Sequence, residues 1–232
     1  MLAIALLVSA ALFGSHLSRA LTVSFGASAR AGVGLALGQG LQLWLPFLLA
    51  AAFGLSARAA GLAALGVLAS GVSVLAWVQR SASARLLWRD EWRKAWHTPG
   101  QRSVWVCSAA WLGLFVYLCH THYLVPRVDG LHSAGVTWGD LPIHLALASH
   151  FAAADGLPPL EHPLIANGPL SYPFVPDYGL AVLTALGLPL RWAFILGGLQ
   201  PMAALVLLLP ALASFWLEPG DRRVGALALG LF

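Results

Sequence analysis

The sequence predicts an all-α fold: a polytopic transmembrane helical bundle with an extracytoplasmic loop that contains an interfacial amphipathic helix. Three observations favour this fold class. Hydrophobic residues make up 59% of the 232 residues and charged residues only 9%, against about 25% in an average soluble domain. The apolar residues form long uncharged runs, and the segment 136–179 gathers four of the nine acidic residues. So little charge cannot cover a water-facing surface, which makes the bilayer the expected solvent.

Apolar runs supply the predicted membrane spans, because a helix of about 20 apolar residues crosses the ~30 Å hydrocarbon layer. The first run is short, but it lacks a basic leader and a cleavage site, which indicates a retained span and not a signal peptide. A further run begins at Val224 and stops at Phe232, as expected for the N-terminal part of a longer protein. The five complete runs are Leu2–Ser15, Ala31–Leu55, Ala59–Val78, Ser103–Tyr123 and Leu190–Leu217.

Arginine distribution predicts the orientation of these spans. The loop 79–102 is the most basic part of the chain, and cytoplasmic loops of membrane proteins carry an excess of Lys and Arg. Within it, "ARLLWRDEWRKAW" places three tryptophans at helical spacing, which is typical of an interfacial helix. Two predicted membrane spans separate this loop from the short loop "EPGDRR" at 218–223, which ends in two arginines. Both loops are therefore expected in the cytoplasm, and the segment 124–176 on the extracytoplasmic side.

The outer segment begins with a stretch of helical periodicity, Trp138–Ala154. At 100° per residue, Asp140, His144, Leu147 and Phe151 share one face. A carboxylate and an imidazole at positions i and i+4 can act as general base and orienting group, or as two ligands of a divalent cation. We therefore take Asp140 and His144 as candidate catalytic residues.

A structural role for Asp140 stays open beside this one. Thr137-x-x-Asp140 resembles a capping box, and Pro142 suits the first turn of a helix. An acid at this end is also stabilised by the helix dipole. Capping and chemistry are compatible at one position.

The second half of the outer segment, "GLPPLEHPLIANGPLSYPFVPDYG", is too rich in Pro and Gly for a regular element. A loop of this length without secondary structure is more often functional than a plain connection. Each polar residue taken singly is more typical of a turn former or a solvated side chain, and the group as a whole favours a function. The candidate substrate-binding residues of the outer segment are Arg127, Glu161, His162, Asn167, Tyr172 and Asp177.

These motifs carry a resemblance. The order of "GDLPIHLALASHF", "PPLEHPLIANGPLSYPFVPDYG" and "LGLPLRWAF" resembles the first periplasmic loop of polytopic GT-C-type glycosyltransferases. It is more closely similar to the largely uncharacterised bacterial and archaeal membrane proteins placed near them. The similarity covers about residues 104–217 and predicts two parts: residues 1–101, with N-terminal spans and the cytoplasmic basic loop, and residues 102–232, a GT-C-like membrane module.

The resemblance implies an inverting transferase in the plasma (inner) membrane. It would move a sugar from a polyprenyl-phosphate-linked donor to an acceptor on the extracytoplasmic side. Asp140 matches the family's catalytic acid and His144 its histidine, whereas Tyr172 and Asp177 match the later tyrosine and acid. The family's paired acid is absent here, since Gly139 precedes Asp140, so the resemblance leaves a divalent cation possible but unassigned.

Two other classes of protein compete with this hypothesis. A transporter or flippase would carry ionisable residues within its spans, and these runs carry almost none. A non-catalytic membrane scaffold subunit would account for the missing acid pair. No basic patch interleaved with aromatic residues favours nucleic acid as a partner; the expected partners are membrane lipid and the lipid-linked sugar donor.

Overall fold

A computed structural model describes the protein over residues 1–21, 26–80, 90, 93, 97, 101–133, 140–157, 164–165, 168–171 and 173–216. These residues are mostly helical. The elements are α1 (Leu2–Leu21), α2 (Ala27–Phe53), α3 (Ala57–Val78), α4 (Gln101–His122), β1 (Val125–Arg127), β2 (Gly130–His132), α5 (Leu141–Ala153), α6 (Val175–Ala185) and α7 (Leu190–Trp216).

Five of these helices, α1 to α4 and α7, are long and apolar enough to cross a membrane. They coincide with the five predicted runs, so a multi-pass helical protein is confirmed by length and composition. The first helix continues past the predicted end at Ser15 to Leu21. Its serines do not interrupt it, because the hydroxyls of Ser15 and Ser18 donate to the carbonyls of Ala11 and Ser15 at 2.8 and 3.0 Å. The run from Val224 and most of the predicted interfacial helix at 84–96 lie outside the described residues.

The chain divides into two compact units. One comprises Met1–Ala10, Gly40–Leu68 and Val116–Gly198; the other comprises Ala11–Gln39, Ala69–Phe115 and Leu199–Phe232.

In the second of these units, α1 and α2 pack at backbone contact. A Cβ added at Gly14 would lie 2.1 Å from the carbonyl oxygen of Gly34 and 2.5 Å from the nitrogen of Gly38. Small residues allow this approach, which replaces the hydrophobic driving force that helices lack in lipid. Gln200 adds a polar contact between α7 and α2 by donating to the Leu35 carbonyl at 3.1 Å.

The first unit contains the two helices too short to span a bilayer. At ~1.5 Å per residue, α5 and α6 extend only about 20 and 17 Å. Helix α6 is anchored on neighbouring helices, since Gly61 of α3 approaches Val182 and Gly179 approaches Leu43 of α2. It ends in a Schellman motif in which Gly187 (φ 94°) donates to Thr184 at 2.9 Å and the next amide donates to Leu183 at 3.1 Å.

A short antiparallel hairpin, β1–β2, follows α4, with Val125 paired to His132 and Arg127 paired to Gly130. The chain enters it through Leu124, whose φ of 48° lies in the left-handed region. That conformation costs an L-residue about 1–2 kcal/mol. Leu124 is nevertheless buried beside Leu141 and Phe194, and this packing holds the turn.

The contact at Gly14 gives the first prediction. Gly14→Ala places a methyl group against backbone atoms that cannot rotate away, and such overpacking costs about 1–3 kcal/mol. We expect a lower melting temperature for the detergent-purified protein. Gly66→Ala on α3, where an added Cβ meets nothing within 4 Å, is the matched control and should melt with the wild type. Equal melting of both variants would contradict the close α1–α2 packing.

Candidate functional site

Helix α5 carries the predicted catalytic face. Asp140 is its N-cap and Pro142 lies in its first turn. The helix therefore begins at Leu141, later than the predicted start at Trp138; residues 138–139 lie outside the described part. Leu147 and Phe151 are buried, whereas Asp140 is exposed. The face predicted from periodicity therefore runs from solvent at Asp140 into the protein interior at Phe151.

Asp140 does not cap α5 with its side chain. Its backbone carbonyl accepts from the amides of Ile143 and His144 at 3.1 and 3.4 Å, but the carboxylate makes no capping hydrogen bond. Thr137, the other half of the predicted capping box, lies outside the described residues. The exposed carboxylate one turn before His144 is thus available for chemistry.

His144 and Asp177 form the polar centre of the site. His144 Nδ1 lies 2.8 Å from Asp177 Oδ1, across 33 residues of sequence. The His144 side chain is 33% exposed and that of Asp177 only 1%. A carboxylate can only accept, so Nδ1 carries the donated proton and the basic lone pair of the ring is on Nε2. This is the arrangement of a histidine oriented by a buried acid.

Burial dominates the electrostatics of Asp177. It raises the pKa of the carboxyl, and the hydrogen bond and charge of His144 oppose that shift. No described residue hydrogen-bonds Asp177 Oδ2, which is buried. The position of Asp177 in the first turn of α6 offsets part of the cost, because the helix dipole favours an anion there. A buried carboxylate with an unsatisfied oxygen is characteristic of functional sites.

An aromatic cluster packs around the Asp177 end of α6. It consists of Phe47 from α2, Phe151 from α5, and Phe174 and Tyr178 at the start of α6. The contacting rings lie 5.5 to 5.8 Å apart, the range for favourable aromatic pairs. Burial raises the pKa of Tyr178 to about 12. These rings give the polar pair a rigid, poorly hydrated surround.

Tyr123 is a member of this environment that the sequence did not identify. Burial, followed by the charges of Cys119 and Asp177, raises its pKa to about 12. Its ring packs against Phe194, with the ring centroids 6.0 Å apart. A tyrosine at the end of a predicted span is usually interpreted as an interfacial residue, and only the tertiary structure shows its electrostatic contact with Asp177.

The remaining predicted residues are distributed differently. Arg127 lies in β1 and is exposed. Asp177 is buried against His144, and its role in binding substrate stays a prediction. Four predicted substrate-binding residues lie outside the described part of the chain: Glu161, His162, Asn167 and Tyr172. Within the described residues, no group of three or more His, Cys, Asp or Glu side chains is arranged to hold a metal ion.

Comparison of the chain with protein-family models, with curated proteins and with solved structures finds no match.

Desolvation of Asp177 gives a prediction for stability. Because the folded-state pKa is raised, the folded protein binds this proton more tightly than the unfolded chain does. The resulting stabilisation is complete below about pH 4 and is lost as the pH rises through the raised pKa. Asp177→Asn cannot lose a proton there. Melting temperatures measured between pH 4 and 8 should therefore fall more steeply for the wild type than for Asp177→Asn.

The control for this measurement is Asp155→Asn, which removes an exposed carboxylate just beyond α5. It takes away the same charge without altering a buried site. A constant difference between wild type and Asp177→Asn across the pH range would show that the carboxyl is not desolvated.

Proposed function

We propose that this protein is a membrane glycosyltransferase. It transfers a sugar from a polyprenyl-phosphate-linked donor to a hydroxyl acceptor on the extracytoplasmic side of the plasma membrane. The observation that supports the proposal is the hydrogen-bonded pair of His144 and Asp177, in which the histidine is half-buried and the acid is fully buried. His144 also lies one helical turn from the exposed carboxylate of Asp140. Its residues match those that the GT-C resemblance selects.

The chemistry asks for one base. The acceptor hydroxyl gives its proton to the base while its oxygen bonds to the anomeric carbon, and the bond from that carbon to the phosphate oxygen breaks. His144 Nε2 is suited to accept the proton, because Asp177 fixes the ring and stabilises the imidazolium that forms. Asp140 lies within reach of the same substrate, since side chains at i and i+4 are neighbours on a helix.

In this proposal Asp140, His144 and Asp177 have two kinds of role. Asp140 and His144 act as catalytic residues that touch the acceptor. Asp177 is a positioning residue, because its carboxylate is 1% exposed and reaches the substrate only through the imidazole. The aromatic cluster keeps this pair in a poorly hydrated environment, where electrostatic interactions are stronger than in water.

The membrane setting fits such a substrate. Five helices are long and apolar enough to span the bilayer, and α5 and α6, which carry the pair, are too short to do so. Short helices packed on spanning ones are suited to act on a lipid whose reactive group lies at the membrane surface. A polyprenyl-phosphate sugar is a lipid of that kind.

Substitutions of the two catalytic residues, Asp140 and His144, test the activity. In a transfer assay with purified full-length protein and a polyprenyl-phosphate sugar, His144→Gln should lower the rate by about 10²–10⁴-fold, the usual contribution of general-base catalysis. Asp140→Asn should also lower the rate, because it removes the charge of a carboxylate that contacts the acceptor. The matched controls are His150→Gln and Asp155→Asn, exposed groups at the opposite end of α5. Both controls should retain wild-type rates.

Asp177→Asn separates positioning from chemistry. It keeps an acceptor for the Nδ1 proton but removes the charge that stabilises the imidazolium, so the maximal rate should fall while the acceptor KM changes little. Equal turnover by wild type, His144→Gln and Asp140→Asn would refute the proposed function.

Sidedness is tested separately. The proposal requires Ser133, just after the hairpin, to face the outside and Ser83 to face the cytoplasm. Ser133→Cys and Ser83→Cys, each made without the free cysteines Cys107 and Cys119, should respectively react with and resist a membrane-impermeant thiol reagent in intact cells. The reverse pattern of labelling would place the site on the wrong side for this donor.

A further inference from the structure

A second polar cluster lies where α4 ends and α7 begins. Arg191 is the second residue of α7, and His120 lies in the last turn of α4. Arg191 Nη2 is 3.4 Å from the carbonyl oxygen of His120 and 3.5 Å from its Nδ1. Both residues fall at the ends of apolar windows long enough to span a bilayer, Val104–His122 and Leu190–Leu212. If these helices cross a bilayer, both side chains are expected at the depth of the lipid headgroups.

Within the part of the chain that the structure describes, no carboxylate lies within ion-pairing distance of Arg191. Its Nε is buried and has no hydrogen-bond partner there. The contact with the His120 carbonyl caps α4, but it is long and uses only one of the two terminal nitrogens. The other amino group remains to bind an anion.

The neighbours of Arg191 add donors and a suitable orientation. A guanidinium only donates, so His120 Nδ1 accepts and the ring proton is on Nε2, which makes Nε2 a second donor. The ring of Trp192 lies 5.4 Å from the guanidinium carbon and is 43% exposed. Tryptophan is enriched at the membrane–water interface, and its cation–π contact stabilises the position of the guanidinium group.

We propose that Arg191 and His120 bind the phosphate of an anionic phospholipid headgroup. The second terminal amino group of the guanidinium donates charge-assisted hydrogen bonds to phosphate oxygens, and the imidazole contributes a further N–H donor. The first turn of α7 adds the positive end of its helix dipole. Free phosphate shares this chemistry, but the position at the ends of two spanning helices favours a phosphate that a lipid carries. The inference does not rest on the proposed sugar transfer.

Lipid retention tests this site on the full-length protein. Detergent-purified protein is mixed with dioleoylphosphatidylglycerol or with dioleoylphosphatidylcholine, and bound lipids are counted by native mass spectrometry. We expect preferential retention of phosphatidylglycerol and a loss of its apparent affinity of about 10-fold or more in Arg191→Gln, as for a charge-assisted hydrogen bond. His120→Gln should show a smaller loss of affinity. Arg191→Lys should show an intermediate loss, because lysine keeps the positive charge but lacks the planar set of N–H donors.

Two controls make the result decisive. Arg58→Gln removes an exposed arginine in the first turn of α3 and should retain lipid as the wild type does; the melting temperature of each variant checks its folding. Unchanged retention in a folded Arg191→Gln, or an equal loss in Arg58→Gln, would overturn the proposal. Displacement of the lipid by millimolar inorganic phosphate would also overturn it, since the site would then select free phosphate.

Discussion

The hydrogen bond between His144 Nδ1 and Asp177 Oδ1 joins two helices that are each too short to be held by the bilayer. It places a carboxylate where burial disfavours its charge. Leaving one buried acceptor unsatisfied costs about 1–3 kcal/mol, so the surrounding structure must fix both helices firmly. The packing of α6 and the aromatic cluster follow from this requirement.

Close packing provides that support. Because Gly61 and Gly179 lack side chains, Val182 packs directly against Gly61 and Leu43 packs directly against Gly179. Helix α6 therefore lies close to α3 and α2. Phe151 and Tyr178 then contact each other in an edge-to-face arrangement at 5.5 Å. These contacts exclude water from one side of the polar pair, while the partial exposure of His144 leaves the other side accessible. A rigid apolar surround with one accessible imidazole is what a base acting on a membrane-borne substrate requires.

Two further polar contacts lie near helix ends. Arg191 and His120 are in contact at the ends of two helices that are long enough to span a bilayer. His16 Nδ1 lies 2.7 Å from Gln79 Oε1 near the ends of α1 and α3. Burial of an unpaired charge within hydrocarbon is costly, so these groups lie where water, headgroups or helix-terminal carbonyls can satisfy them. The His144–Asp177 pair is different, because its acid is satisfied chiefly by one imidazole.

The sequence by itself determined the long apolar helices, because hydrophobic run length is a local property, but it placed the start of α5 at Trp138, whereas the helix begins at Leu141. It also placed Asp140 and His144 on one face, since helical periodicity acts over four residues. The partnership of His144 with Asp177 was decided only by tertiary structure, as the residues are 33 positions apart and meet only when α6 packs on α5. Tyr123 joined the site for the same reason, because it packs against Phe194 and interacts with Asp177, two residues far from it in the sequence.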